Sequence, residues 1–242
     1  MDRALFAAAS GMAAQQRNLD TIADNLANAS VVGFKGSAQR FAELVAPGEG
    51  GVGTVALGGR TLFGQGRLAR SAGPFDLAID GPGFFCVVDE RGRRLFTRDG
   101  EFSRDGGGRL RNAAGLQLCG VLIPADALSA SVADDGTVRA TFASGPRTIG
   151  KIRIAEFAAP DRLRSLGGAV FEATPESGRP HPIAPGSDNG PKLHFGMLEE
   201  SNVTIVEAMM QILTAQRAYE ANAKGVQAAD EMLRIANNLQ RG

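Results

Sequence analysis

Five aspartates, Asp76, Asp80, Asp89, Asp99 and Asp105, are the residues closest to a catalytic set in this 242-residue chain. Two carboxylates at a fixed separation would suffice for general acid–base cleavage of a glycosidic bond. Most of the five precede or adjoin glycine, where an aspartate bonds its own backbone and closes a turn, so turn chemistry is the expected role. His181 lies between Pro180 and Pro182 and His194 is isolated, so neither joins a metal-ligand spacing. Cys86 and Cys119 allow at most one disulfide and are expected as buried strand thiols. Gly48-Glu49-Gly50-Gly51-Val52-Gly53 fits G-x-G-x-x-G, but Pro47 precedes it and Thr54-Val55-Ala56-Leu57 after it reads as strand. A nucleotide cradle needs a helix N-terminus at that place, so this is expected to be a flexible loop. No serine sits in a G-x-S-x-G elbow. No catalytic residue, cofactor or metal site is expected.

The strongest pattern lies at the two ends. Ile205, Ile212, Tyr219, Val226 and Leu233 step by seven, each followed three residues on by Ala208, Ala215, Asn222, Ala229 or Ala236. Leu5, Met12, Leu19 and Leu26 repeat the step near the start, with Ala8, Gln15, Ile22 and Ala29 three residues on. Both are a/d seams of the kind that bind helix to helix. Met209 and Met210 widen the second seam, and Glu207, Arg217, Glu220, Lys224, Glu231 and Arg234 supply its wet face. Asn202 and Thr204 are candidate N-terminal caps. Short isolated helices are marginal in water, so each seam needs a partner. The two seams can close on each other within one chain, or join copies; their length and two-ended symmetry favour assembly.

Basic and acidic residues balance at 26 each, which leaves no electrostatic footprint for nucleic acid. No apolar run reaches the length of a membrane span. Ala4 to Ala14 could pass for a secretory core, but the heptad runs straight through it, so an uncleaved helix is expected. Glycine is concentrated between the two ends, with short apolar runs such as Phe75–Ile79, Phe84–Val88, Leu95–Thr97 and Ile149–Phe157 separated by turn signals. That spacing predicts a sandwich-like or barrel-like β module. Residues 174–192 hold five prolines and three glycines and read as a returning loop. The expected fold is α+β: a helical segment over 1–36, an extended glycine-rich connection over 37–70, a central β domain over 71–195 and a helical segment over 196–242.

Four ordered blocks resemble those of the flagellar basal-body rod and hook family. They are Asp24 to Lys35, Asp76 to Phe85 with Phe96 to Phe102, Gly196 to Val203, and Ala215 to Asn222. The Ala-Gln-Arg-Ala-Tyr-Glu run and Asp230-Glu231-Met232-Leu233 are most similar to the distal-rod branch, with the proximal-rod branch as the alternative. Asp24 stands where the family motif has asparagine, and Val31-Val32 where it has a polar pair. The resemblance implies a structural subunit of the rod, a hollow shaft crossing the periplasm and transmitting motor torque to the hook. Its terminal helices would form an inner coiled-coil layer around that shaft. Leu5, Met12, Leu19, Ile22, Leu26, Ile205, Ile212, Tyr219, Val226 and Leu233 are the expected assembly seam. Expected partners are copies of itself, other rod and hook subunits and the flagellar type III export apparatus, with the P- and L-ring proteins as further candidates. Neither nucleic acid nor membrane insertion is expected.

Overall fold

The computed structural model describes residues 2–45, 51–186 and 190–239, with side chains except at 2–4, 51–52, 233 and 236–239. The chain divides into two compact units. The first comprises Met1–Ala27, Gly36–Leu62 and Val203–Gly242, and the second Asn28–Lys35 and Phe63–Asn202.

In the first unit, helix α1 (Asp2–Ala27) is followed by strands β1 (Ser37–Val45) and β2 (Gly51–Thr61), and helix α2 (Ile205–Leu239) closes the chain. At 35 residues α2 is about 50 Å long, well beyond the usual globular helix. Ile22, Ala208 and Ala215 form a buried cluster with Leu19, Leu26, Val203 and Ile212 against it. Farther along, a Cβ placed on Gly11 would stand 2.9 Å from Asn222 Nδ2, and one on Gly225 3.8 Å from the Ala8 methyl. Early α1 therefore meets late α2, and the two helices run antiparallel. Alanine at 208, 215 and 229, three of the d positions of α2, lets the backbones approach.

The other side of α1 carries the β1–β2 hairpin. Ser10 Oγ accepts the Thr54 N–H at 3.1 Å, and Gln39 Nε2 donates to Thr21 Oγ1 at 2.7 Å. Asn25 acts as a one-residue strand partner: its Nδ2 donates to Ser37 O at 2.7 Å and its Oδ1 accepts the Ser37 N–H at 2.8 Å. In the glycine-rich stretch 46–60, expected as a flexible loop flanking a short strand, the strand is longer than expected: Gly51–Thr61 pairs antiparallel along β1. Residues 46–50 lie outside those described. Thr54-Val55-Ala56-Leu57 is strand and not helix, in line with its sequence.

Among its described residues the second unit is built of β-strands, apart from one 3-10 turn at Pro160–Arg162. Its strands are β3 (Leu68–Arg70), β4 (Leu77–Asp80), β5 (Phe84–Val88), β6 (Arg94–Thr97), β7 (Ser103–Arg104), β8 (Arg109–Arg111), β9 (Gln117–Leu122), β10 (Ser129–Val132), β11 (Thr137–Phe142) and β12 (Gly145–Lys151). After them come β13 (Ile154–Glu156), β14 (Arg164–Gly167), β15 (Val170–Glu172), β16 (His181–Ile183), β17 (Lys192–Phe195) and β18 (Met197–Glu199). The nine-stranded sheet runs β14-β15-β6-β5-β9-β8-β7, with β13 pairing both β5 and β16. A β10-β11-β12 meander and the pairs β17-β4 and β18-β3 complete the unit. Residues 174–192, expected as loop, contain the short strand β16. Leu77, Ile79, Phe85, Leu118, Ile152 and Ile154 sit in the main core. A second core stacks Phe63, Phe84, Phe96, Phe157 and Phe171 edge to face at 4.8–5.9 Å between centroids.

Gly100 shows how close the backbones run. Its carbonyl accepts the Leu77 N–H at 3.0 Å, and a Cβ there would stand 1.7 Å from Leu77 O. Gly100→Ala should therefore push β4 aside and cost about 3 kcal/mol. Urea unfolding followed by circular dichroism checks this; an unchanged midpoint would contradict the packing.

Candidate assembly surfaces and a buried ionic junction

α2 has two apolar faces. One is the seam: Ala208, Ala215 and Ala229 are buried, and Ile212 and Val226 half-buried. The other carries Val206, Met209, Met210 and Leu213, spaced i, i+3, i+4, i+7, which forms a continuous stripe on a helix. These four are 70%, 53%, 64% and 56% exposed. Ile205, Tyr219, Met232 and Ile235 are exposed as well. The helix begins beside Thr204, whose hydroxyl lies 3.3 Å from Glu207 Oε2 and whose carbonyl accepts the Ala208 N–H.

Of the expected seam residues, Leu19, Ile22, Leu26 and Ile212 are brought together, with Ile22 alone fully buried among them. Leu5, Met12 and Val226 are half-buried, and Ile205 and Tyr219 are exposed. The Leu233 side chain lies outside the described set. Ala14 and Asn25, both buried, were not anticipated in this role.

The second unit holds a buried ionic junction that pattern reading missed. Glu199 at the end of β18 is fully buried. Its Oε1 accepts from Lys35 Nζ at 2.6 Å and from the Gly66 N–H at 2.8 Å, and its Oε2 from Arg98 Nη1 at 3.1 Å. Lys35 Nζ also donates to Gly64 O at 2.8 Å, and Arg98 Nη2 to Gly81 O at 2.7 Å. The Arg98 guanidinium lies over the Phe84 ring at 5.5 Å. Two cations thus share one carboxylate. Burial pulls both Lys35 and Arg98 below their ordinary values, with Glu199 opposing the shift in each. Close by, Gly33 donates its N–H to Glu199 O at 2.7 Å with φ +66°. A Cβ there would stand 2.4 Å from the Arg98 carbonyl carbon. The detectable signal was a charge embedded in each of three apolar runs: Phe34-Lys35, Phe96-Thr97-Arg98 and Met197-Leu198-Glu199.

Three of the five aspartates serve turns. Asp89 Oδ1 accepts the N–H groups of Arg91 and Arg93, Asp105 Oδ1 those of Gly107 and Arg109, and Asp99 Oδ1 that of Glu101, all between 2.8 and 3.0 Å. The Arg93 and Arg109 N–H bonds hold Asp89 and Asp105 respectively below the usual carboxylate range. Burial pushes Asp99 up, and Asn112 Nδ2 occupies its second oxygen at 3.1 Å. Asp76 accepts from Ser71 Oγ, and Asp80 from Gln65 Nε2 at 3.2 Å.

Residues 5–35 match the family described as "Flagella basal body rod protein". Residues 78–140 match "Flagellar hook protein FlgE/F/G D1 domain", and 196–239 match "Flagellar basal body rod FlgEFG protein C-terminal". The flagellar basal-body rod protein FlgG of Borreliella burgdorferi is 37% identical, with 100% of each chain covered. FlgG of Caulobacter vibrioides is 34% identical over 98% of this chain and 99% of its own. FlgF of Mesorhizobium japonicum is 34% identical over 92% and 91%. This chain belongs to the flagellar basal-body rod protein family. It is a structural rod subunit and not an enzyme. Among solved structures, the Helicobacter pylori flagellar hook protein FlgE2 shares 15% identity over 68% of this chain and 34% of its own, at a TM-score of 0.26. Lys35, Arg98 and Glu199 each lie in a different one of the three matched family segments.

Glu199→Gln leaves two buried cations without a counter-charge and should cost about 3–5 kcal/mol. Lys35→Met leaves the Arg98–Glu199 pair intact and should cost less. The lysine also sets a pH dependence. Its folded value lies below the ordinary 10.5, so just below that pH the unfolded chain holds more protons and stability rises with pH. Wild type should therefore gain stability relative to Lys35→Met across that interval. Unfolding free energies of both, measured against pH, check the order and the sign; a gap that shrinks as pH rises would contradict them.

Proposed function

We propose that this rod subunit polymerises through the face of α2 that α1 leaves open. The observation that carries the reading is the exposed Val206, Met209, Met210 and Leu213 stripe. Monomeric surfaces rarely display contiguous apolar patches of this kind unless a partner covers them. Neighbouring copies pack their helices against it, forming the coiled-coil layer of the shaft, with Ile205 and Tyr219 at its margins. Such head-to-tail contacts propagate without closing into a ring. Within this reading the assembly segments are 1–36 and 196–242, and the central β domain is 71–195.

Similarity over full length to proteins named FlgG supports a distal-rod position. Rod and hook subunits are the further neighbours, with the P- and L-ring proteins around the periplasmic span. Export through the flagellar type III apparatus, without cleavage of α1, suits a helix whose residues from Ala8 to Leu26 line α2.

The antiparallel closure of α1 on α2 favours a second reading, a non-polymerising adaptor, and one variant separates the two. Leu213→Asp lies on the exposed stripe, so monomer stability should change by less than about 0.5 kcal/mol. Polymerisation, followed by sedimentation and electron microscopy, should be lost together with swimming. Wild-type rods built from this variant would contradict the proposed surface.

A further inference from the structure

β5 and β9 pair antiparallel, with Val87 opposite Leu118 and Val88 opposite Gln117. The same register sets Cys86 opposite Cys119, and their sulfurs lie 3.3 Å apart as free thiols. Both are partly exposed and line a cleft of about 360 Å³. Arg94, Lys151 and Arg153 give it a cationic rim, with no carboxylate among its lining residues, and Phe96 and Pro182 make apolar wall. Lys151 also pairs with Asp135 at 3.5 Å.

We propose that Cys86 and Cys119 are a redox-active dithiol, a modification site that takes a small anionic disulfide such as oxidised glutathione. The Cys86 thiolate attacks one sulfur of that disulfide, forming a mixed disulfide and releasing one glutathione thiolate. Cys119, once deprotonated, attacks Cys86 Sγ and expels the second. Two protein thiols and one glutathione disulfide become one cross-strand disulfide and two glutathione thiols, so electrons and protons balance. The order follows from the environment. When ionised, Cys86 accepts the hydrogen bond of Cys119 and faces Arg94, which brings it down to about 7, whereas Cys119 is pushed up. The attacking thiol is the one ionised near ambient pH. The cationic rim holds the glutathione carboxylates.

The full chain, incubated with oxidised glutathione at neutral pH and quenched by alkylation, should yield a linked Cys86–Cys119 peptide about 2 Da lighter than its reduced parts. Cys119→Ser should stop at the mixed disulfide on Cys86, a gain of about 305 Da, and Cys86→Ser should react at least about tenfold more slowly. Two thiols that stay alkylatable with no linked peptide, or a Cys86→Ser chain that reacts as fast as Cys119→Ser, would overturn the assignment.

Discussion

A helix of 35 residues cannot bury two apolar faces against one 26-residue neighbour. The architecture of the first unit follows from that mismatch. α1 fills the alanine side of α2, where short side chains admit a close backbone, and its opposite flank is taken by the β1–β2 hairpin. Nothing among the described residues of that unit remains to cover Val206, Met209, Met210 and Leu213. The methionines suit a surface that repacks against several neighbours, since their unbranched, polarizable side chains adapt to irregular gaps. On the proposed assembly, an adaptable stripe on a stiff helix is the surface that neighbouring subunits would share.

The second unit is organised around a charge that cannot reach water. Glu199 draws Lys35 and Arg98 inward, and both cations also bond backbone carbonyls, at Gly64 and at Gly81. A buried ionic cluster of this type contributes little net stability, because desolvation offsets the attraction. What it does provide is register. Segments as far as 164 positions apart in the chain are held in one arrangement, since any other leaves a charge buried alone. Gly33 and Gly66 then become obligatory, because a side chain at either would strike the backbone around that junction.

Much of this is legible in the sequence. The seven-residue steps locate both helices, and the Gly-adjacent Asp99 and Asp105 announce turns that the structure contains. Heptad spacing states that a helix wants a partner but not which one, so it does not separate closure within one chain from assembly between copies. Two features are hidden for physical reasons. The 46–60 segment has a loop composition, yet backbone pairing with β1 overrides glycine's weak strand preference. The ionic junction depends on contacts across 164 positions, as between Lys35 and Glu199, and no local periodicity encodes those. Asp24, one of the two departures from the family motif, falls on an exposed position, whereas Asn25 beside it carries the clamp on Ser37.

The most direct test is oxidation of Met209 and Met210 by dilute peroxide, read by peptide mass in the monomer and in assembled rods. Both should oxidise readily in the monomer and become strongly protected once copies pack along the open face of α2. Equal rates in the two states would show that this face is not where subunits meet.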